Sequence, residues 1–371
     1  MANLTTFRTS QDPIALENLD LKNKNVLVRV DFNCPMENGK ITNNYRIQET
    51  LPTLINLKNK GVKKITLVTH FARPDGEFKS EMQLRPVKEE LEKLWGEKVD
   101  CPEYFPYFDE YAKKITGSVA AVVMWENVRF WPGEEKNDPL FARALTQNQE
   151  IFINEAFSAS HRVHASIVGT AKILPAYAGW RLAEEVRKIY QLMNQSASPS
   201  VAIVGGAKIE TKIPVLEALE KNYDQILLGG KIALEYEDYQ KKNKAGVAQG
   251  ENSKWEKKIL LPKGYIGNKG QDIDEESANQ FAQIAQKAKK ILWNGPVGKF
   301  EEAEFRKGSE IIARAVAENK NALRLIGGGD TVELLEELGL QNNMGFVSTG
   351  GGAMLEYIAN GTLPGLEVLD F

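Results

Sequence analysis

Cationic side chains follow the apolar segments in the first half of the chain. Four arginines, Arg46, Arg73, Arg129 and Arg162, lie just after such segments or at the start of the next helical stretch. Asp31 and Asn33 lie in the same loops, as do all three histidines of the chain, His70, His161 and His164. A lone arginine or histidine is more often a solvated, ion-paired or structural residue than a ligand-binding one. Four arginines at successive strand ends should converge on one crevice, and guanidinium groups bind phosphate or carboxylate as charged forks. We therefore predict an anion-binding site in this half.

Glycine takes the corresponding positions in the second half. Glycines follow five apolar segments in turn, at Gly205-Gly206, Gly229-Gly230, Gly295 with Gly298, Gly327-Gly328-Gly329 and Gly350-Gly351-Gly352. One glycine after a strand is ordinary turn punctuation. Five such positions in one sheet would line its edge with bare backbone N–H groups, which suits the phosphates of a nucleotide.

Two of these glycine segments also carry charge. Lys208 and Lys212 are four residues apart, on one side of a turn or helix start. Asp330 follows the glycine triplet at 327–329 and precedes a helix predicted over 332–338, whose N-terminus can face an anion. Two interpretations of Asp330 remain open from this segment alone, a ligand to a metal ion that bridges phosphates and a simple N-cap.

The elements that must position these groups alternate between strands and helices. Short apolar, β-branched runs predict strands over 25–31, 64–69, 119–125, 151–154, 201–204, 225–228, 290–293, 324–326 and 345–349. Helices predicted over 46–60 and 84–95 are each followed by a glycine, Gly61 and Gly96, in the position of a C-cap. Continuous apolar strands between amphipathic helices are typical of parallel sheets covered on both faces. The predicted fold class is α/β, with two doubly wound parallel-sheet domains.

The division into domains follows from length and composition. A chain of 371 residues exceeds the size of a typical single core. Its two halves differ, because ten of 13 arginines lie at or before Arg187, whereas 22 of 30 glycines lie after residue 190. A helix-like stretch over 175–194, followed by a Ser/Pro-rich segment, is predicted to bridge them. We predict an acid-binding domain over 1–180, a linker over 181–199 and a nucleotide-binding domain over 200–356. The segment 357–371 is expected to pack back on the first domain.

Composition excludes several other classes of protein. A net charge of -3, with 42% hydrophobic and 26% charged residues, is typical of a globular protein and argues against a general nucleic-acid or membrane-surface binder. Cys34 and Cys101 are too few for a disulfide framework and lack metal-ligand spacing. No apolar run approaches the length of a membrane helix and no secretion signal is visible, so we expect a cytoplasmic protein, a monomer by default. Walker A, G-x-G-x-x-G and protein-kinase signatures are absent, which disfavours common ATPases and nicotinamide dehydrogenases.

Nine segments, in order along essentially the whole chain, resemble the phosphoglycerate kinase family. They are VLVRVDFN (26–33), ITNNYRI (41–47), THFARP (69–74), WENVRFWPGEE (125–135), NEAFSASHRVHAS (154–166), IVGGAKIETKI (203–213), LWNGPVGKFE (292–301), IGGGDT (326–331) and VSTGGGAMLE (347–356). One such motif would be weak, but nine long motifs in family order are very specific.

The resemblance implies a reaction and a role for each site residue. It implies reversible phosphoryl transfer between ATP and the carboxylate of 3-phosphoglycerate, giving ADP and 1,3-bisphosphoglycerate, with Mg²⁺ as cofactor. Asp31, Asn33, Arg46, His70, Arg73, Arg129 and Arg162 would hold 3-phosphoglycerate. Gly206, Lys208, Lys212, Asn294, Glu301, Gly327, Gly328, Gly329, Asp330 and Thr331 would bind the nucleotide, Asp330 also as the magnesium ligand. Arg46, Lys208, Lys212, Gly328 and Gly329 would act on the transferring group.

This reaction suits a site rich in Arg, Lys and Gly and poor in acid–base pairs. The attacking carboxylate is already ionised at pH 7, so no general base is needed. Repulsion between the carboxylate and the γ-phosphate has to be relieved, and cations and helix N-termini do this while the oxygens are aligned. Closure of the two domains about the bridging helix would exclude water.

The chain also departs from the family pattern. It is shorter than typical members, and the stretch 230–293, which in the family helps to form the adenosine pocket, is only loosely similar. Phe71-Ala72 replaces a usual Leu-Gly, and Glu155 replaces a usual Asp. Two rival functions are a catalytically weakened relative kept as a binding protein, which the full set of cations disfavours, and a dehydrogenase, which the missing dinucleotide fingerprint disfavours.

Overall fold

The structure, a computed structural model, describes residues 16–206, 209, 212–244, 258–267 and 269–370. The chain divides into two compact units, one formed by Met1–Val186 with Gly361–Phe371 and the other by Arg187–Asn360. The boundary falls inside the helix Trp180–Asn194.

The first unit is built on a five-stranded parallel sheet. In chain order its strands are β1 (Asn25–Arg29), β4 (Lys64–Val68), β5 (Val122–Met124), β6 (Ile151–Asn154) and β7 (Ala176–Ala178), with a small antiparallel hairpin of β2 (Met36–Glu37) and β3 (Lys40–Ile41). The sheet order is β5-β4-β1-β6-β7. Because the central strand β1 is covered on both faces, Val26, Leu27 and Val28 are fully buried.

Helices pack around this sheet. They are α1 (Tyr45–Asn59), α2 (Arg85–Trp95), α3 (Phe108–Gly117), α4 (Pro139–Leu145) and the first half of α5 (Trp180–Asn194), together with the C-terminal α12 (Pro364–Glu367). The chain's last segment is held by backbone bonds, 2.8 Å from Gly365 N to Ser160 O and 2.7 Å from Asp370 N to Ala176 O. The N-terminus of α1 lies at the carboxyl edge of the sheet, and this edge carries the candidate site of the first unit.

The second unit repeats the plan with a six-stranded parallel sheet. Its strands are β8 (Ser200–Val204), β9 (Gln225–Leu228), β10 (Ile259–Leu260), β13 (Lys290–Asn294), β14 (Leu323–Gly327) and β15 (Phe346–Val347), in the order β10-β9-β8-β13-β14-β15. Its helices are α6 (Ile213–Asn222), α7 (Lys231–Lys244), α8 (Glu275–Lys287), α9 (Lys307–Glu318), α10 (Gly329–Glu337) and α11 (Gly352–Asn360). A hairpin of β11 (Tyr265–Ile266) and β12 (Asp272–Ile273) completes the described part of this unit. The α/β class predicted from the sequence is therefore confirmed.

The predicted strands are correct at their centres and differ at their ends. β6 and β9 have the predicted bounds. β1 stops at Arg29, two residues earlier than predicted, and β5 is shortened at both ends. Apolar periodicity locates the buried centre of a strand well, but its ends depend on which backbone groups find partners on neighbouring strands.

Two helix predictions are wrong at their starts. The stretch predicted as one helix from Pro175 begins instead with β7, because Pro175 O accepts a bond from Phe152 N at 2.9 Å and carries the chain into the sheet. The helix after the glycine triplet begins at Gly329, three residues earlier than predicted, with Gly328 as its N-cap at φ 100°. Asp330 therefore lies in the first turn of α10, and the interpretation of Asp330 as the N-cap is excluded.

Candidate active site

Asp31 and Arg46 meet at the carboxyl end of β1. Arg46 stands in the first turn of α1, and its guanidinium forms an ion pair with the Asp31 carboxylate, which also accepts a hydrogen bond from Ser158 Oγ. Asp31 Oδ1 further accepts from Asn33 N at 3.2 Å. Asp31 is buried, whereas 26% of the Arg46 side chain is exposed. Asp31 therefore orients a cation that still reaches solvent.

Asn33 and Arg129 hold the loop after β4 between them. Asn33 Oδ1 accepts from Ala72 N at 2.9 Å, and the Ala72 carbonyl accepts from Arg129 Nη1 at 2.7 Å. Ala72 has a φ of 52°, in the left-handed region that alanine rarely adopts. Arg129 Nε lies 3.2 Å from Glu135 Oε1. The loop conformation thus fixes the direction of the Arg129 guanidinium.

The remaining arginines gather around Arg129. Burial lowers the pKa of Arg129, and the nearby charges of Arg162 and Arg73 lower it further, although Glu135 and Glu134 oppose this. Arg73 and Arg162 are both exposed. The structure thus brings together the arginines expected in the first unit, in a positive field that suits an anion with several negative oxygens.

His70 lies beneath these cations as a neutral side chain. It is buried, and burial together with the charges of Arg29, Arg129 and Arg46 holds its pKa well below the usual value. Its Nδ1 is 3.1 Å from Nη2 of Arg29. His161 and His164, in the loop after β6, also have lowered pKa values of about 4 and about 3, mainly through burial. All three histidines are therefore uncharged at neutral pH.

Sequence reasoning missed a buried polar group behind this cluster. Arg29 is almost fully buried, and its Nε donates to Ser166 Oγ at 2.8 Å. Ser166 Oγ and Ser166 N in turn donate to the two carboxylate oxygens of Glu134, at 2.6 and 2.9 Å. An arginine inside the otherwise apolar run of β1 was the one available signal, because a charged residue there must find buried partners.

Bare backbone forms the corresponding edge of the second sheet. Gly205, which follows β8, donates from its N to Asn294 O at 2.9 Å. A Cβ on Gly205 would overlap the Pro296 carbonyl oxygen, so only glycine allows the two loops to approach this closely. Gly206 and Gly295 have φ of 95° and 90°, which also favour glycine.

Two helix N-termini lie side by side at this edge. Gly328 precedes α10, and a Cβ built on Gly351, which precedes α11, would be 3.6 Å from Gly328 Cα. Gly327 ends β14 at a place where a Cβ would meet Met354 Cε at 2.6 Å. N–H groups and the positive ends of two helix dipoles therefore face the same region.

Asn294 and Thr331 support these N-termini. Thr331 is fully buried, and its Oγ1 accepts from Gly295 N at 2.8 Å. Asn294 is 5% exposed, and its Nδ2 has no hydrogen-bond partner among the described residues. A Cβ on Gly328 would lie 3.4 Å from that nitrogen. A buried donor beside a helix N-terminus suits an anionic ligand, because leaving it unpaired is costly.

Acidic groups and one lysine stand near the start of α10. Lys212 is the N-cap residue of α6, and its pKa is lowered by burial but raised by the nearby Asp330 charge. Asp330 and Glu301 are exposed, and the pKa of Glu333 is raised first by burial and then by neighbouring acidic charges, those of Asp330 and Glu301 among them. Lys208, expected in the same loop, lies outside the described residues.

These residues fit a magnesium ion carried by phosphates. In the described part of the chain, no three His, Cys, Asp or Glu side chains are grouped so as to hold a metal ion. Mg²⁺ is usually held by one or two carboxylates together with the phosphates of a bound substrate. Asp330, an exposed carboxylate at the N-terminus of α10, meets that requirement.

The two units together define a class of protein. Parallel sheets whose carboxyl edges carry a cation cluster in one unit and glycine-lined helix N-termini in the other are typical of α/β proteins that bind phosphorylated ligands.

Comparison with known proteins identifies the family. The family profile described as phosphoglycerate kinase matches residues 16–261 and 247–361. A curated relative named phosphoglycerate kinase, from Trichodesmium erythraeum, is 36% identical over 98% of this chain and 99% of the relative. Another of the same name, from Moorella thermoacetica, is 36% identical over 96% of this chain and 98% of the relative. The chain belongs to the phosphoglycerate kinase family.

Solved structures agree with this assignment. The structure of phosphoglycerate kinase from Coxiella burnetii matches with a TM-score of 0.76 and 31% identity, over 96% of this chain and 98% of that one. The crystal structure of the Pyrococcus horikoshii phosphoglycerate kinase matches over the same shares, with a TM-score of 0.80 and 27% identity.

Proposed function

We propose that this protein catalyses reversible phosphoryl transfer between ATP and the carboxylate of 3-phosphoglycerate, giving ADP and 1,3-bisphosphoglycerate. One observation carries the proposal: in a chain of the phosphoglycerate kinase family, the first unit gathers Arg46, Arg73, Arg129 and Arg162 with His70 at one sheet edge. Such a cluster suits a small substrate that bears both a phosphate and a carboxylate.

On the acid substrate, these side chains bind and orient rather than abstract a proton. The carboxylate of 3-phosphoglycerate is ionised at neutral pH and attacks directly. The neutral histidines can donate hydrogen bonds, while the arginines neutralise charge. Asp31 and Asn33 are assigned to the hydroxyl and carboxylate end of the substrate, next to Arg46, because Asp31 already pairs with that arginine.

In this proposal, most of the contacts with the nucleotide come from backbone groups. Gly206, Gly327, Gly328 and Gly329 would present N–H groups to the phosphates, with Lys212 as the neighbouring cation. Asn294 would donate its free Nδ2–H, and Thr331 holds the Gly295 loop in place. Glu301 is assigned to the nucleoside side, and Lys208 to the transferring group.

Asp330 would hold Mg²⁺ at the start of α10. When bound, the ion would neutralise charge on the phosphates. The transition state, in which charge spreads over the transferring group, would be met by Arg46, Lys208 and Lys212 and by the N–H groups of Gly328 and Gly329. We include in the proposal a hinge motion about α5 that excludes water during transfer, a monomeric state and a cytoplasmic location. No helix in the described ranges has the length and apolarity required to cross a membrane.

A coupled assay tests this proposal. The full chain is mixed with Mg-ATP and 3-phosphoglycerate, and product formation is followed through a coupled reductive step. We expect turnover that requires both substrates and disappears in an Arg46→Ala protein purified in the same way, which controls for enzyme carried over from the host. Folded protein that binds both ligands without turnover would instead indicate the weakened, ligand-binding relative. Oxidation or reduction of a nicotinamide without ATP would indicate a dehydrogenase.

A further inference from the structure

A chain of buried polar groups runs behind the cation cluster of the first unit. Glu134, Ser166, Arg29 and His70 form this chain, which we call the buried relay; their exposures are 0%, 1%, 1% and 8%. The links are 2.6 Å from Ser166 Oγ to Glu134 Oε1, 2.8 Å from Arg29 Nε to Ser166 Oγ, and 3.1 Å from Arg29 Nη2 to His70 Nδ1. Arg29 is the last residue of β1, and His70, Glu134 and Ser166 lie in three other segments of the first unit.

The direction of every bond in the buried relay follows from chemistry. A guanidinium has only donors, so Arg29 must donate both to Ser166 Oγ and to His70 Nδ1. The Ser166 hydroxyl, which accepts from Arg29, then has its one hydrogen free to donate to Glu134. Because His70 Nδ1 accepts, the ring is neutral and its proton is on Nε2.

Further hydrogen bonds hold the Glu134 and Arg29 side chains of the relay in place. Glu134 Oε2 also accepts from Ser166 N at 2.9 Å, so both carboxylate oxygens are engaged. The third arm of Arg29 donates from Nη1 to Val30 O at 2.5 Å. Burial lowers the pKa of Arg29 to about 10, and the charge of Glu134 opposes this shift.

We propose that Glu134 is a positioning residue which, through Ser166 and Arg29, holds His70 with its proton on Nε2, as a neutral donor to the acid substrate. The part that concerns the substrate rests on the proposed function. The tautomer itself does not.

Electrostatics and positioning predict opposite effects when Glu134 is changed. His70 faces Arg29, Arg129, Arg46 and His164. Burial raises the pKa of Glu134, whereas the charge of Arg29 and the hydrogen bonds from Ser166 favour its charged form. If Glu134 acted on the substrate only through its field, removing its charge would strengthen the binding of a polyanion. If it positions His70, the same change weakens binding because the donor is no longer fixed.

Nitrogen NMR of the ligand-free protein tests the tautomer. The chain has three histidines, so 15N-histidine labelling gives few signals, and His161→Gln and His164→Gln proteins assign the third to His70. We expect wild-type His70 to show Nε2–H and unprotonated Nδ1, without titration between about pH 5.5 and 8. Ser166→Ala and Glu134→Gln should each give a mixture of tautomers. An Nδ1–H or charged His70 in the wild type would overturn the proposal.

A matched control separates position from charge. Glu135→Gln removes the same charge from the neighbouring residue, whose contact is with Arg129 and not with the relay. Its His70 signals should be those of the wild type. If Glu135→Gln shifted the tautomer as much as Glu134→Gln, or if neither relay variant changed it, the relay would have no role in fixing His70.

Kinetics then tests the consequence for the substrate. Ser166→Ala and Glu134→Gln should raise KM for 3-phosphoglycerate roughly tenfold, with kcat changed less and KM for ATP unchanged. Ser166→Thr keeps the hydroxyl and should restore the wild-type KM and tautomer. A lower KM in Glu134→Gln would contradict the proposal in favour of a pure field effect. Absence of turnover in wild-type protein with the expected His70 tautomer would refute the proposed function and leave the relay standing.

Discussion

The carboxyl edges of the two sheets present different kinds of ligand-binding surface. In the first unit the binding groups are side chains, such as Arg46 and Arg129, each aimed by a partner: the Asp31 carboxylate in one case and the Ala72 carbonyl in the other. In the second unit the surface is backbone at Gly205, Gly328 and their neighbours, made accessible because side chains are absent.

The two sites depend on different physical requirements. A side-chain site has to keep buried charges paired, because an unpaired charge in the interior is costly. Asp31 and Glu134 meet that need in the first unit. A backbone site instead needs close approach and left-handed φ angles, which a Cβ would prevent. Substitutions should therefore damage the first unit through charge and the second through shape.

The largest effect on activity is expected from Arg46→Ala. Loss of this cation should lower kcat by about 10³-fold, because a positioned arginine on a transferring phosphoryl group contributes on that order. The Kd for Mg-ATP should stay within about twofold, since Arg46 belongs to the first unit. Stopped-flow turnover and calorimetric ATP binding measure the two quantities. Arg85→Ala, which removes an exposed arginine paired with Glu89, serves as control. An unchanged kcat would remove Arg46 from the transition state.

Gly328→Ala should damage the second unit through shape. Gly328 has a φ of 100°, and its Cβ would lie 3.3 Å from Thr331 Oγ1 and 3.4 Å from Asn294 Nδ2. We expect KM for ATP to rise by about 10- to 100-fold, with KM for 3-phosphoglycerate unchanged.

Gly339 offers a matched control just beyond the other end of α10. It also has a left-handed φ of 65°, but a Cβ there meets nothing within 4 Å. Gly339→Ala should therefore lower the free energy of unfolding by about 1 kcal/mol and leave KM for ATP unchanged. Equal effects of both variants on KM for ATP would mean that backbone strain, and not the binding surface, is responsible.

The sequence predicted this comparison in outline but not the supporting contacts. Arginines and glycines after apolar runs located both edges, because residue type and strand period are local properties. The link between Arg29 and Ser166 joins residues 137 positions apart, so no local pattern reveals it. No local pattern predicts β7, since Ala176 and Ala178 lack the β-branching that marks a strand. Pairing with β6 overrides that preference.

Glu155 should make the first unit sensitive to pH. It is buried at the end of β6, accepting from Thr53 Oγ1 at 2.6 Å and from Arg181 N at 3.1 Å, and burial raises its pKa to about 8. The folded state therefore holds a proton that the unfolded chain releases near pH 4.5. Stability from this group is fully present below the unfolded pKa of 4.5. It is lost as the pH rises toward the folded pKa, by about 1.4 kcal/mol per pH unit.

Glu155→Gln should remove this dependence. The neutral amide can still accept from Thr53 and from the α5 backbone, and it does not titrate. We expect the melting temperature of the variant, relative to wild type, to rise by several degrees between about pH 5 and pH 8. Calorimetric melting at both pH values measures this, with Glu150→Gln, at an exposed position, as control. Identical pH dependence in wild type and Glu155→Gln would contradict the assignment.

The smallest expected effect comes from Ala72→Gly, a shape change within the charge-dependent unit. Ala72 has a φ of 52°. Glycine should therefore raise the free energy of unfolding by about 0.5–1 kcal/mol through relief of strain. Ala218→Gly, inside α6, should act in the opposite direction by about 1 kcal/mol. Urea unfolding of the three proteins measures the differences. A loss of stability in Ala72→Gly comparable with that in Ala218→Gly would show that the loop carries no such strain.

The central claim is that cationic side chains of the first unit bind the acid and that the glycine-lined backbone of the second unit binds the nucleotide. Binding of each ligand to a variant of each unit tests this claim most directly. Calorimetric titration of 3-phosphoglycerate and of Mg-ATP is performed separately on the full chain, on Arg162→Ala and on Gly328→Ala. We predict that Arg162→Ala weakens binding of 3-phosphoglycerate by at least about tenfold and leaves ATP unchanged, and that Gly328→Ala does the reverse. If either variant weakened the binding of both ligands equally, the assignment of one ligand to each unit would be wrong. It would also be wrong if Arg162→Ala weakened only ATP binding and Gly328→Ala weakened only binding of 3-phosphoglycerate.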